Sequence, residues 1–425
     1  MGMTIFIIKG LVRDRSRSLF PFLTVAIGVA LVVFLDAYLR GTQDSFFDTT
    51  ARLVTGHLMV TTRAQAQEGE AGSLETALFG VKGLKAELKG KYPDIIWTER
   101  IRFSGLIDVP DSLGATRAQV PITGLAVDLT AGSVEHQLLQ LNKALVRGRV
   151  PEKSREILLS EDLCQGLAIT PGARVRLISM TAEGAMAITD CTLAGTVRFG
   201  VTALDRSMVI DQLEGVQEVL RLEDRASEIV GFFSDGGYDD RRAVQIAREY
   251  NAGLNSREDG FLPVMRPLRE ASDLGSLIDI VSGVTGLIVL IFIVAMAVVL
   301  WNAGLMGSLR RYGEIGIRLA LGESKPALYL SLLAEAFFIG LIGSVAGTLI
   351  GLVPAYYLQK VGLNIGGMMK NSTVVISEVL RARITPASFF VGFLPGLIAT
   401  FLGSAISGLG IFRRSTARLA KEFSE

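Results

Sequence analysis

The sequence predicts a membrane α-helical protein with four transmembrane helices and a mixed α/β extracytoplasmic domain inserted between helices 1 and 2. Three observations lead there. Of 425 residues, 49% are hydrophobic and the mean hydropathy is +0.43, more apolar than an ordinary soluble chain. The excess is not spread evenly but falls into four stretches, each about 20 or more residues long, the length needed to cross a bilayer. The long segment between the first two stretches is polar and alternates helical with strand-like patterns.

Taken in order, residues 1–18 read as a cytoplasmic amphipathic helix carrying Lys9, Arg13, Arg15 and Arg17. Transmembrane helix 1 follows over 19–40, with Asp36 its one charge. A cleaved signal peptide is the alternative, but the apolar run is long for one, and Asp36-Ala37-Tyr38-Leu39 offers no small-x-small cleavage site. Residues 41–273 form the extracytoplasmic domain. Helix 2 spans 277–301, with Asp279 at its start. Residues 302–326 make a cytoplasmic loop, 327–358 helix 3 with Glu335 as its one ionisable residue, 359–386 an outer loop, 387–412 helix 4, and 413–425 a cytoplasmic tail. Basic residues set the orientation. Lys9 to Arg17, the Arg310, Arg311, Arg318 and Lys325 group, and the Arg413, Arg414, Arg418 and Lys421 group must share a side, which places both termini in the cytoplasm. Lys360, Lys370, Arg381 and Arg383 in the outer loop weaken that signal, but they are spread over a longer loop.

Within 41–273, strand-like runs occur at His57–Val60, Ile101–Val109, Arg174–Ile178 and Cys191–Arg198. Helical patterns occur at Leu74–Leu88, Ser160–Leu167 and Tyr238–Tyr250, the last with Ala243, Ile246 and Ala247 on one face. Thr170-Pro171-Gly172 reads as a turn before a strand.

Several function classes are excluded. A formal charge of +1, from 43 basic and 42 acidic residues, gives no basic excess for nucleic acid. The two histidines, His57 and His136, sit in no metal-binding spacing, and Gly90-Lys91 continues into Tyr92 and so is no phosphate loop. No Gly-x-Ser-x-Gly elbow is present. Acidic pairs such as Asp239-Asp240 and Glu161-Asp162 read as caps and turns. No catalytic or metal residue is therefore assigned, and the chain is expected to be no enzyme and to hold no cofactor. Cys164 and Cys191 suit either a disulfide or two buried thiols, because spacing does not bring two Cα atoms together.

The inner loop reads Leu309-Arg-Arg-Tyr-Gly-Glu-Ile-Gly-Ile-Arg-Leu-Ala-Leu-Gly322. It suggests a short interfacial helix with Ile315, Leu319 and Leu321 on one face and Arg310, Arg311 and Arg318 turned to water, headgroups or a partner. The stretch resembles the R-x-x-E-I-G-I-x-R-A-x-G-A signature of the ABC transporter permeases of the MacB/FtsX family, where it forms the coupling helix that docks on the ATPase. Arg311, Glu314, Ile315, Gly316, Ala320 and Gly322 fall on the matching positions, while Glu323 and Ser324 depart from the usual residues that follow. Further matches run through Ala26 to Ala30, through Glu335, Ala336, Gly340, Gly343 and Gly347, and through Arg414 to Leu419. In the outer domain they include Glu156–Leu163 and Pro171–Leu177, with Gly56-His57-Leu58 closest to the lipoprotein-releasing LolC/LolE branch.

The resemblance implies a mechanotransmitting permease subunit of the plasma (inner) membrane. It implies ATPase-coupling roles for Arg311, Glu314, Ile315, Gly316, Arg318, Ala320 and Gly322. The implied partners are a separately encoded ABC ATPase dimer, which binds the ATP and Mg, a second permease copy or paralogue, and a periplasmic or outer-envelope protein. Lipoprotein or another amphiphile is the implied cargo; a non-transporting regulator of a cell-wall hydrolase or signalling partner is the alternative. From the residues themselves, Gly343, Gly347 and Gly351 recur every four positions and suit close helix approach, as do Gly396, Gly403 and Ser407. Glu335 lies about two turns inside its span and is expected to snorkel inward in support of the coupling helix.

Overall fold

The computed structural model describes residues 15–68, 74–201, 204–254, 259–271, 317–365 and 378–409, with scattered positions between 280 and 302. It divides into two units, one drawn from 1–44, 281–363 and 380–425 and the other from 45–280 and 364–379.

Among the described residues, three helices are long and apolar enough to cross a membrane: Leu19–Thr55, Lys325–Val361 and Ser388–Ile406. We name the first α1 (Arg15–Thr50); a π-helical turn, Ala51–Thr55, follows it. Helical backbone thus continues beyond Leu39 through residues too polar for lipid, supported by the Asp36–Arg40 and Asp48–Arg52 ion pairs one turn apart. The described residues of 280–302 are helical, and Leu287, Ile291, Val294 and Val298 among them are exposed, as lipid-facing side chains would be.

The other unit is built on one mixed sheet. Its strands are β1 (Leu58–Thr62), β2 (Leu78–Phe79), β3 (Ile95–Pro110), β4 (Thr116–Val127), β5 (Leu145–Gly148), β6 (Glu156–Ser160), β7 (Arg174–Met180), β8 (Met186–Val197), β9 (Met208–Gln212), β10 (Arg225–Ala226), β11 (Glu228–Phe233) and β12 (Pro263–Pro267). The sheet order is β12-β1-β11-β3-β4-β9-β6-β8-β5, with β7 paired to both β3 and β8, while β2 and β10 pair separately. Most neighbours are antiparallel, but β4–β9 and β6–β8 are parallel. In β6, Ile157 and Leu159 enter one core cluster while Leu158, pointing the other way, enters a second. Both sheet faces are therefore covered, and the strand's centre, Ile157-Leu158-Leu159, is a continuous apolar run instead of alternating. The β7–β8 hairpin closes through Thr181 and Ala185, whose N–H···O distance is 2.8 Å, with Gly184 at φ +77.

Helices α2 (Val81–Lys91), α3 (Val134–Leu138), α4 (Glu161–Leu167), α5 (Leu213–Val219), α6 (Asp240–Ala252) and α7 (Leu268–Ala271) accompany the sheet. The expected helix over Leu74–Leu88 is corrected here. Leu74–Thr76 is a short 3-10 turn, Leu78–Phe79 is β2, and the helix begins only after Gly80, which adopts a left-handed conformation at φ +62. Of the acidic pairs, Asp239 does cap its helix, its carboxylate accepting from the Arg242 N–H at 3.2 Å, while the helix of Glu161 and Asp162 is capped by the Ser160 hydroxyl, which accepts from the Leu163 N–H at 3.2 Å. Asp240 instead pairs with Arg269, and Asp162 with Arg198.

Both cysteines are buried free thiols, and burial pushes each up to about 12, so neither is a thiolate at neutral pH. His57 is buried between Phe232, Phe233 and Tyr238, and its Nδ1 accepts from the Phe233 N–H at 3.1 Å. That bond requires an unprotonated Nδ1, so the ring is structural.

Two buried groups in this unit oppose one another as pH changes. Burial lowers His57 from 6.5 to about 4, the nearby Asp235 charge acting against the shift. Burial raises Asp211 from 3.8 to about 7, the Gln212 N–H acting against it. The depressed His57 contributes stability above pH 6.5 that is lost as pH falls towards 4. The elevated Asp211 contributes stability below pH 3.8 that is lost as pH rises through 7. Each is worth on the order of 3 to 4 kcal/mol at most, so their slopes nearly cancel between pH 4 and 6.5. Asp211→Asn should therefore make stability rise with pH across that window, and His57→Asn should make it fall. Denaturant titrations at pH 4.5, 5.5 and 6.5 check this; equal slopes in both variants would refute it.

Candidate coupling segment and helix seam

Arg311, Glu314, Ile315 and Gly316 lie outside the described residues. From Ile317 onward the geometry is defined. The Leu321 N–H donates to the Ile317 carbonyl at 2.9 Å, the Gly322 N–H to Leu319 at 3.1 Å, and the Glu323 N–H to Arg318 at 3.1 Å. With Gly322 at φ +94, the i→i−5 and i→i−3 bonds close a Schellman turn, which satisfies the last carbonyls of the short helix. Gly322 serves here because a side chain would be strained at that φ.

The next helix, α8 (Lys325–Val361), starts immediately, with Ser324 extended at its N-cap and Pro326 in its first turn. Leu319 packs on the fully buried Leu328. The expected placement of Leu321 on one face with Ile315 and Leu319 is thereby corrected. Leu321 is 82% exposed and lies with the exposed Ile317 and Ala320, because residues two apart on a helix point in nearly opposite directions. Arg318 also differs from expectation. Instead of turning freely to water it donates from Nε and Nη2 to both carboxylate oxygens of Glu323, at 2.7 and 2.8 Å. The residue that departs from the family pattern, Glu323, thus clamps the turn; an oppositely charged pair flanking a Gly in the Schellman position was the signal for it. Glu335 is half-buried in α8 and engages a partner.

The glycines form a seam. A Cβ on Gly343 would lie 2.9 Å from the Val25 side chain, one on Gly347 2.5 Å from the Ala26 carbonyl oxygen, and one on Gly351 2.5 Å from the Ala30 carbonyl oxygen. All three face α1. On the last helix, α9 (Phe393–Gly408), a Cβ at Gly396 would meet Val29 at 2.5 Å and the Ser344 hydroxyl at 2.8 Å. Gly403 is buried, and the side chain of Ser407 lies outside the described ones. Tyr329 donates its hydroxyl to the Ala405 carbonyl at 3.2 Å, tying α8 to α9. Sequence reasoning noted Asp36 but not its setting: it is buried, takes a 2.9 Å bond from Arg40 Nε, and its other oxygen has no hydrogen-bond partner. No group of His, Cys, Asp or Glu among the described residues could hold a metal ion.

Residues 286–416 match the family described as FtsX-like permease C-terminal. An uncharacterized ABC transporter permease of Methanocaldococcus jannaschii is 28% identical over 141 residues, which cover 31% of this chain and 35% of that protein. The matched region thus spans about a third of the curated relative. The crystal structure of the periplasmic region of MacB from Actinobacillus actinomycetemcomitans aligns with 50% of this chain and 88% of that one, at 13% identity and a TM-score of 0.32, too low to carry an argument. The match over 286–416 includes the segment ending at Gly322 and most of the seam; the carboxyl-terminal part of this chain is thus similar to an FtsX-like permease domain, and with its long apolar helices the chain is a membrane-embedded multi-pass protein.

Proposed function

We propose that this chain is the permease subunit of an ABC transporter that couples ATP hydrolysis by a separate ATPase to movement of its 41–273 domain. The observation that carries the reading is the FtsX-like match across a helix–turn–helix whose exposed apolar side chains, Ile317, Ala320 and Leu321, sit beside the Gly322 turn. Exposed apolar groups next to charged ones are the usual composition of a docking surface. In this reading Arg311, Glu314, Ile315 and Gly316 extend that surface, and Arg318 with Glu323 holds its end rigid. The ATPase dimer binds ATP and Mg; this chain is not an enzyme. Its cargo is a lipoprotein or other amphiphile, and it works with a second permease copy or paralogue. The plasma membrane holds it with both termini cytoplasmic, and Glu335 supports the coupling segment from inside α8.

The test is co-purification of the full chain with the ABC ATPase that this reading requires. Leu321→Asp with Ile317→Asp, and separately Glu314→Lys with Gly316→Asp, should each abolish the complex while leaving the permease in the membrane. A complex that survives both pairs of substitutions would place the docking surface elsewhere and overturn the assignment.

A further inference from the structure

The outer end of α1 is built into the sheet unit. The helix belongs to the membrane unit as far as Asp44 and to the sheet unit from Ser45 onward. Its π-helical turn stops at Gly56, whose N–H donates to the Ala51 carbonyl at 2.7 Å. A helix end leaves its last carbonyls without intrahelical donors. Two of them, on Leu53 and Val54, are taken by one side chain from a strand far along the chain. Arg102 of β3 donates from Nη2 to both, the bond to Leu53 being 3.0 Å. Its Nε donates at 2.9 Å to Glu228 on β11, a carboxylate only 4% exposed. The Arg102 backbone is seated as well, its N–H donating to the Ser227 hydroxyl at 2.9 Å. A guanidinium suits this place because its planar fork carries five donors, and because a cation complements the negative end of the helix dipole. Apolar packing adds to the hold: Ala51 lies in a core cluster with Val230 and Phe232, and Leu53 in another with Leu125 and Val127.

We propose that Arg102 is a positioning residue that makes the sheet follow α1. On the permease reading, on which this rests, that one side chain performs the step from membrane helix to outer domain. Lower down, α8 approaches the α1 backbone at Ala26 and Ala30, so α1 moves with its neighbour in the membrane. Motion of this kind is handed on only where the contacts are rigid. Apolar contacts are non-directional and let packed surfaces slide. Three hydrogen bonds from one planar group fix both the distance and the rotation of the helix end. Arg102 is 22% exposed, so water competes for these bonds less than it would at an open surface. Without the guanidinium the end of α1 stays packed but is free to turn against β3 and β11. A lysine ammonium is no equivalent, because a point charge lacks the fork.

Spin labels at Asp48→Cys on α1 and Glu223→Cys on the sheet unit, both exposed positions, report whether the two move together. The native Cys164 and Cys191 are buried thiols and stay unlabelled. Distances are measured by pulsed electron resonance on the full chain in lipid nanodiscs, first alone and then with the ABC ATPase trapped by ATP and vanadate. The parent should give one narrow distribution that trapping leaves in place. Arg102→Met with Glu228→Gln removes the bonds without leaving a buried charge unpaired, so the unit should still fold, and parental Trp97 fluorescence checks that it does. In this variant the distribution should be at least twofold wider, and trapping should shift it. Arg149→Met, which breaks an exposed pair with Glu156 elsewhere in the unit, should behave as the parent. A variant as narrow as the parent, or a parent whose distance shifts on trapping, would overturn the proposal. An ATPase that does not bind the parent would refute the permease reading instead, and the widths measured without it still decide whether Arg102 holds the helix end.

Discussion

Replacing Glu135 by leucine should cost about 3–5 kcal/mol of unfolding free energy in the sheet unit, whereas the double variant Arg100→Met with Glu135→Leu should recover most of that loss. Arg100 on β3 donates from Nε and Nη2 to the two oxygens of Glu135 on α3, at 2.7 and 2.9 Å, and both side chains are fully buried. The guanidinium also lies over the Phe232 ring at 5.6 Å, while its Nη1 has no hydrogen-bond partner. Leucine at 135 would leave a desolvated cation among apolar atoms, and that uncompensated charge is what makes the single variant costly. Removing both charges removes the desolvation penalty along with the attraction, so an apolar pair of similar volume ends near the starting stability. The chain has two tryptophans, Trp97 and Trp301. In a Trp301→Phe background the fluorescence of Trp97, on the same strand as Arg100, reports this unit alone. A single variant within 1 kcal/mol of the parent, or a double variant no better than the single, would show that the pair is not the determinant described.

How much of this could be read beforehand depended on the range of the interaction. The three long apolar helices among the described residues were legible because each is a contiguous run, and lipid imposes one pattern on all of it. The Asp239 cap was legible because a cap acts within three residues. The Arg100–Glu135 pair was not, since 35 residues separate its members and only the sheet brings them together. The misread Leu74–Leu88 segment shows a different failure. Leu74, Leu78, Val81, Leu84 and Leu88 repeat with helical spacing, yet Gly80 takes a left-handed conformation and Leu78–Phe79 pairs with Arg225–Ala226. A distant strand overrode a local period, as tertiary context commonly does. In the candidate coupling segment, the Gly322 turn was legible as a glycine, but the partnership of Arg318 with Glu323 was hidden because Glu323 looked like a departure from the expected pattern.

The seam supports a prediction that separates two kinds of close approach. Gly347→Ala should destabilise the membrane unit, and trimming neighbouring side chains should not rescue it. The new Cβ would lie 2.5 Å from the Ala26 carbonyl oxygen and 3.0 Å from the Ala26 Cα, atoms that no substitution removes, so α1 and α8 must separate along their length. Overpacking of this kind costs about 1–3 kcal/mol, and the helices have little to replace the lost contacts, because in lipid the hydrophobic effect does not drive them together. Gly396→Ala meets only side-chain atoms within 3 Å, Val29 Cγ2 at 2.5 Å and Ser344 Oγ at 2.8 Å. Val29→Ala with Ser344→Ala deletes both, and should restore much of the stability lost in Gly396→Ala. The same pair added to Gly347→Ala should restore nothing. Val353→Leu, on an exposed face of α8, controls for added bulk and should be neutral. The readout is the temperature at which the detergent-solubilised chain loses its monodisperse peak in size-exclusion chromatography. Rescue of Gly347→Ala by the trimmed pair would mean that the helices can slide past one another, and that backbone contact does not set the spacing of α1 and α8.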